Sequence, residues 1–228
     1  MKLDVGALFL IGIPLGLVCG IVQAAFWLRW RQRELLWWAA GDWLGAAGVL
    51  LLLSGLSGAS FPPWFVRSFA ETAIFASGLL LWLGMRCFSG QALPLRTFAA
   101  LTLIYFVVFE VLRSFVQDLA VLIVLASFAH GLMHAGIAFD LARAPFVDRL
   151  RVRAFLVAVF VLHALFYLFR SATAVTVEAG AEFLHTVGLQ SATLLFGLTN
   201  VLLWNAAALW MVGERQRAPD PGAAVATV

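Results

Sequence analysis

The chain has 228 residues, of which 63% are hydrophobic and only 12% are charged, and its mean hydropathy is +0.98. A soluble domain carries about twice that charged fraction, so the composition excludes an ordinary water-soluble protein. The net charge is +3, but the arginines stand in short segments between apolar runs. That distribution sets membrane topology and argues against nucleic-acid binding.

The apolar runs predict an all-α bundle of seven transmembrane helices, since one span needs about 20 mainly apolar residues. The runs cover about 4–28, 35–56, 68–88, 97–115, 119–141, 154–172 and 189–212. We expect a transmembrane domain over 1–213 and a disordered cytoplasmic tail over 214–228, which is rich in Ala, Pro and Gly. The fourth run is the weakest span, because it is short and carries charges near one end.

Small residues recur at helical spacing in the first two runs. These glycines are Gly12, Gly16 and Gly20 in the first run, and Gly41, Gly45 and Gly48 in the second. Such stripes allow transmembrane helices to approach each other closely. We therefore predict that both runs use these faces for helix packing.

The Lys and Arg residues predict the orientation of the chain. Eleven of the fifteen lie in the first, third and fifth connections or after the last run. Cytoplasmic segments carry an excess of such residues, so the N-terminus is expected outside and the C-terminus in the cytoplasm. Seven spans also require the two termini to lie on opposite sides.

Polar residues within the predicted spans form a first candidate site, an intramembrane polar layer. A rise of 1.5 Å per residue places Asp42, His134, His163 and Asn205 roughly 10–14 Å from the arginine-rich ends of their helices. His130 lies one turn from His134 on the same helix face. Ionisable residues inside a membrane are costly and usually face the bundle interior.

This layer has three interpretations. Imidazole and carboxylate groups bind transition metals, and two histidines on facing helices can ligate a haem iron. We predict that His134 and His163 face the interior and would be the metal ligands, with Asp42 or Asn205 as the third member. The second interpretation is that each histidine is an interior residue hydrogen-bonded across helices, and the third is a proton-linked role.

Charged residues at the opposite helix ends form a second candidate site, the outer cluster. Its members are Glu71, Glu110, Arg113, Asp118 and Arg170. We expect Arg113 and Arg170 to approach one of the three carboxylates, since unpaired charges there are disfavoured. The cluster is either a set of interfacial ion pairs or an outward-facing pocket for a small polar or charged ligand.

The sequence holds no familiar catalytic motif. HExxH, G-x-S-x-G, P-loop and dinucleotide-binding patterns do not occur in it. We therefore do not predict an enzyme.

Several short motifs occur in a characteristic order. They are Trp38 and Gly41 in the second run, Pro62 and Pro63 in the next connection, Gly84, Arg86 and Phe88 closing the third run, and Arg113 and Arg170 closing the fourth and sixth. Over about residues 5–215 this order resembles the multi-pass sensory domain found ahead of bacterial GGDEF diguanylate cyclases. The nucleotide-binding loop and metal-binding carboxylates of such a cyclase do not occur in the sequence, so we do not expect cyclase activity.

The resemblance implies a sensory or signalling module of a bacterial inner membrane that acts on a cytoplasmic signalling protein, with a homodimer as an open alternative. Two other functions stay open. One is a haem- or metal-binding membrane protein that uses the intramembrane histidines. The other is a small transporter subunit, although the sequence shows no inverted repeat.

Overall fold

The chain forms a bundle of long α-helices in the computed structural model, which describes residues 5–56, 61–116, 119–144, 152–176 and 187–217. The helices are α1 (Val5–Trp30), α2 (Arg33–Leu56), α3 (Pro63–Phe88), α4 (Leu95–Phe115), α5 (Leu119–Arg143), α6 (Arg153–Thr176) and α7 (Val187–Arg217). The described residues contain no strand. All seven helices are long and apolar enough to cross a membrane, where a helix satisfies its own backbone groups. The predicted fold class is confirmed.

Local sequence explains where several helices begin and end. Arg31 turns the chain after α1 with a φ of 56°, and its backbone N–H donates to the Trp27 carbonyl at 2.7 Å. Gly90 has a φ of 67° just after α3, a conformation that glycine adopts without strain. Pro63 occupies the first turn of α3, where its missing N–H costs nothing. This proline start places the beginning of α3 five residues before the predicted run at 68.

The last helix is longer than its apolar run. α7 continues to Arg217, whereas the predicted run ends near 212 and the predicted domain at 213. The polar residues of this extra turn therefore continue the helix. The rest of the predicted tail, 218–228, lies outside the described residues.

Six of the helices form a ring, and α4 lies outside it. Contacts run from α1 to α2, α3, α5, α6 and α7 in turn, and α7 closes the ring against α1. α4 packs on the outer side of α3 and α5 and is among the least buried helices. The fourth span is thus peripheral. Its apolar character is as strong as that of any other span, with a mean hydropathy of 1.9, so the expectation that it is the weakest span is not supported.

The two ends of the bundle are packed differently. The basic end is where α1, α3, α5 and α7 finish and α2, α4 and α6 begin. A dense apolar core lies towards this end and includes Trp38, Phe88, Phe160 and Trp204. Trp38 and Trp204 meet edge to face with centroids 5.1 Å apart, which joins α2 to α7. The other end, called here the opposite end, contains the cavity described below.

The predicted glycine contacts are present. A Cβ at Gly16 of α1 would lie 3.1 Å from the Ala46 Cβ of α2. A Cβ at Gly48 of α2 would lie 2.9 Å from the Ala70 carbonyl oxygen of α3. Only residues without a side chain allow backbones this close, so the stripes hold α1, α2 and α3 together.

Candidate functional site

A cavity of about 1120 Å³ occupies the bundle between its middle and the opposite end. All seven helices contribute to its lining. It extends from Arg67 and Arg113, near the opposite end, to Asp42 and His134, near the middle of the bundle. Cavities of this size commonly bind small molecules.

The two walls of the cavity differ in chemistry. One wall, from α3, α5 and α6, carries Glu71, His130, His134, Tyr167 and Arg170. The facing wall, from α1, α2 and α7, is mostly aliphatic or glycine. A ligand that fits both walls would have an apolar body and one polar side.

His134 and His163 both lie in the interior of the bundle, where we expected them. Both side chains are buried, with 7% and 3% of their surface exposed, and their rings stack with centroids 5.5 Å apart. His130 and Tyr167 extend this stack, because the Tyr167 ring lies 5.3 Å from His130 and 5.5 Å from His134. Tyr167 was not identified as a site residue, although it stands one turn from His163 in the sequence.

Hydrogen bonds indicate which ring nitrogens of His134 and His163 carry a proton. The Nδ1 atoms of His134 and His163 each lie 2.7 Å from a backbone carbonyl one turn earlier, at His130 and Val159. A carbonyl oxygen only accepts, so each Nδ1 carries a proton. The Nε2 atom of His163 lies 3.4 Å from the Phe196 carbonyl oxygen, whereas the Nε2 atom of His134 has no such contact among the described residues. No hydrogen bond of His134 Nε2 or of either ring nitrogen of His130 is found among the described residues. Since both rings line the cavity, they offer nitrogen atoms to a ligand.

The predicted polar layer is divided into two groups. Asp42 and Asn205 contact each other rather than a histidine, with Asn205 Nδ2 at 3.5 Å from Asp42 Oδ1. Gln23 of α1 completes this group by donating from Nε2 to Asn205 Oδ1 at 2.5 Å. His134 contacts His130 and Tyr167, and His163 contacts His134 and Phe196, so no contact supports Asp42 or Asn205 as the third member.

Gln23 was missed as a site residue by sequence reasoning. It is fully buried and lies 182 positions from Asn205 in the chain. Its spacing from Gly16 and Gly20 places it on the packing face of α1, and this was the available signal.

The described residues of the outer cluster form two separate groups of contacts, one around Arg113 and one around Arg170. Arg113 pairs with Glu110 as predicted, donating from Nε at 2.9 Å, and Ser68 of α3 donates to the same carboxylate. This group links α4 to α3. Arg170 instead donates to Ser127 Oγ at 2.8 Å, which joins α6 to α5.

The structure describes the position of only one of the two remaining acidic residues of the outer cluster. Glu71 lines the cavity within electrostatic reach of Arg170 and Arg67, but none of the described arginines forms an ion pair with it. Asp118 lies outside the described residues. The cavity therefore contains the Glu71 and Arg170 part of the predicted cluster.

Two further ion pairs close the basic end. Arg215 of α7 pairs with Glu34 of α2 at 2.6 Å, donates to the Phe88 carbonyl of α3 and stacks over the Phe88 ring at 3.7 Å. Arg86 of α3 pairs with Asp140 of α5 at 2.5 Å. These contacts tie four helices of the ring together at the end distant from the cavity.

A preformed metal centre is not evident in the described part of the chain. No group of three or more His, Cys, Asp or Glu residues there has the geometry to hold a metal ion. A metal at His134 or His163 would thus need further ligands from water or a bound molecule.

The fold and the site define a class of protein: a multi-pass α-helical membrane protein with an internal cavity. Comparisons with known proteins found no match among family models, curated proteins or solved structures. The geometry of the cavity is therefore the basis for a functional proposal.

Proposed function

We propose that the chain is an integral membrane sensory or signalling module of a bacterial inner membrane. Its N-terminus is outside and its C-terminus is in the cytoplasm, so the opposite end faces outward. A small ligand enters the cavity, and the change in helix packing reaches a cytoplasmic partner at the basic end. The arginine distribution supports the orientation, and the resemblance to sensory domains supports the role.

The observation that carries this proposal is the cavity itself. A bundle that served only as an anchor would fill its interior, because interiors are normally close-packed. Here the basic end is filled by aromatic residues, while the other half leaves about 1120 Å³ open beside buried polar groups. Few convergent polar groups in an apolar cavity are typical of a small-molecule site.

α7 offers a physical route for the signal. Leu194, Leu198 and Val201 of this helix line the cavity, and Trp204, one turn further, packs into the basic-end core. Arg215 then ties the same helix to α2 and α3. A ligand that displaces the cavity part of α7 would alter these contacts, since a helix transmits displacement along its axis.

The first test fills the cavity. Gly197 lines it, and a Cβ added there would meet no atom within 4 Å. Gly197→Trp is expected to fold and to lose at least tenfold of any co-purified small molecule detected by native mass spectrometry. Gly213→Trp is the matched control, because Gly213 does not line the cavity and a Cβ added there also meets no atom within 4 Å.

A second measurement tests whether ligand binding changes the structure of the basic end. A fluorophore at Gln216, an exposed residue of the basic end, should report a change when small-molecule extract of the native membrane is added to stripped protein. Fluorescence that stays constant while the ligand binds would contradict signalling. The protein would then be a binding protein of another kind.

The position of His130 supports a second candidate function, that of a haem-binding protein. Its ring forms no hydrogen bond among the described residues and the residue lines the cavity, so one ring nitrogen could ligate an iron. Titration of the purified protein with hemin should then give a Soret band that His130→Ala abolishes. His163→Ala is the control, because His163 does not line the cavity. Equal spectra for wild type and His130→Ala would exclude this candidate.

A further inference from the structure

Asp42 is a buried carboxylate without a positive partner. Two of the described carboxylates are almost fully buried, Glu34 at 4% and Asp42 at 7% exposure. Glu34 pairs with Arg215. Asp42 forms no ion pair within the described residues, and its Oδ2 atom has no hydrogen-bond partner there. An unpaired charge inside a membrane bundle is costly, so this carboxyl group is neutralised either by a proton or by a bound cation.

The hydrogen-bond network leaves Oδ2 free. Asn205 Nδ2 donates to the Val201 carbonyl at 2.9 Å, which identifies that atom as the amide nitrogen. Asn205 Oδ1 must therefore be the atom that accepts from Gln23 Nε2. The nitrogen of Asn205 is thus the group that approaches Asp42 Oδ1 at 3.5 Å, which leaves one oxygen of the carboxylate for another partner.

Glycines surround Asp42 on the lining of the cavity. Gly16, Gly41 and Gly45 line the same part of the cavity as the carboxylate. Ser77 of α3 packs closely against two of these glycines, because a Cβ at Gly45 would lie 3.2 Å from Ser77 Oγ and a Cβ at Gly41 would lie 3.0 Å from the Ser77 carbonyl oxygen. Ser77 therefore supplies oxygen atoms next to this part of α2. The terminal torsion of an aspartate is soft, so the carboxylate can turn towards the cavity that Asp42 lines.

We propose that Asp42 forms the floor of the cavity as a site for a monovalent cation, either a sodium ion or the ammonium group of a bound ligand. Oxygen atoms are the ligands that hard cations prefer. One carboxylate balances one positive charge, and no described group of three or more potential metal ligands is present for an ion of higher charge. This site goes beyond the proposed signalling role, since a cation could bind whether or not a signal follows.

The test compares thermal unfolding of the full chain in lipid nanodiscs. Sodium chloride should raise the Tm relative to an equal concentration of N-methylglucamine chloride, by about 3–6 °C at ten times the Kd. In a second arm, dodecylammonium is compared with dodecanol, which has the same tail and no charge. A response to sodium identifies the ion as the occupant, and a response to dodecylammonium alone identifies a ligand ammonium.

Asp42→Asn should remove either response, measured against its own Tm in N-methylglucamine chloride. Asp140→Asn is the matched control, since Asp140 pairs with Arg86 and does not line the cavity. Its responses should equal those of the wild type. If Asp42→Asn does not fold, equilibrium binding of radioactive sodium to the wild type replaces it. Sodium that binds and is displaced by dodecylammonium supports one shared cation site, and sodium that does not bind excludes the ion as the occupant. No response of the wild type in any arm, or a full response in Asp42→Asn, overturns the proposal.

Discussion

At the scale of single residues, the side-chain amide of Gln23 forms a hydrogen bond that joins α1 to α7. It donates to Asn205, and both side chains are buried. Gln23→Leu keeps the volume similar but leaves Asn205 Oδ1 without its donor. We expect a loss of unfolding free energy of about 1 kcal/mol, because hydrogen bonds between transmembrane helices contribute about 0.6–1.7 kcal/mol each.

Denaturant titration in mixed micelles measures this loss. Thr199→Val is the control, because the exposed Thr199 hydroxyl bonds to the Leu195 carbonyl of its own helix and joins no other helix. A Gln23→Leu variant as stable as the control variant would show that the buried amide pair has no net effect.

Sequence reasoning at the residue scale succeeded where partners are near in the chain. Glu110 and Arg113 are three residues apart, so helix geometry alone predicts their pairing. It could not pair Gln23 with Asn205, since 182 positions separate them and ring order decides which helices meet. For the same reason Asp42 was grouped with His134 by depth, although depth does not define which wall of the bundle a residue occupies.

At the scale of elements, the contact between α2 and α3 depends on glycine. A Cβ at Gly48 would approach the Ala70 carbonyl oxygen to 2.9 Å and Ile74 Cγ1 to 2.8 Å, and a backbone carbonyl cannot move away cheaply. Gly48→Ala should therefore lower the unfolding free energy by about 1–3 kcal/mol, the usual cost of overpacking.

Gly213→Ala provides the comparison on another helix. A Cβ there meets no atom within 4 Å, so this change should raise stability slightly, by about 0.5–1 kcal/mol, through the better helix propensity of alanine. Unfolding of both variants in the same micelles tests the contrast. Equal effects of the two changes would contradict close packing at Gly48.

The sequence predicts the helices well, because about 20 apolar residues suffice to define a span. It places their ends less well where special residues act, as at Pro63, which begins α3 earlier than the apolar run does. The peripheral position of α4 and the order of the ring depend on tertiary contacts between distant segments. No local pattern contains that information.

At the scale of the whole molecule, the cavity lies in one half of the bundle and the basic end is closed. The basic end combines an apolar core around Trp38 and Trp204 with the Arg215 to Glu34 ion pair. The opposite half contains a cavity whose polar wall includes His130 and His134. This asymmetry is what a receptor needs if the ligand arrives from one side of the membrane and the response leaves from the other.

The most direct measurement of this account is the accessibility of a cysteine in the cavity. Gly197→Cys is placed in a chain with Cys19→Ala and Cys87→Ala, since Gly197 lines the cavity and its Cβ would have open space. A membrane-impermeant, positively charged thiol reagent should label it in intact spheroplasts and not in inverted membrane vesicles. Gln216→Cys at the basic end should show the reverse pattern. Labelling of Gly197→Cys from the cytoplasmic side alone, or from neither side, would contradict an outward-opening cavity.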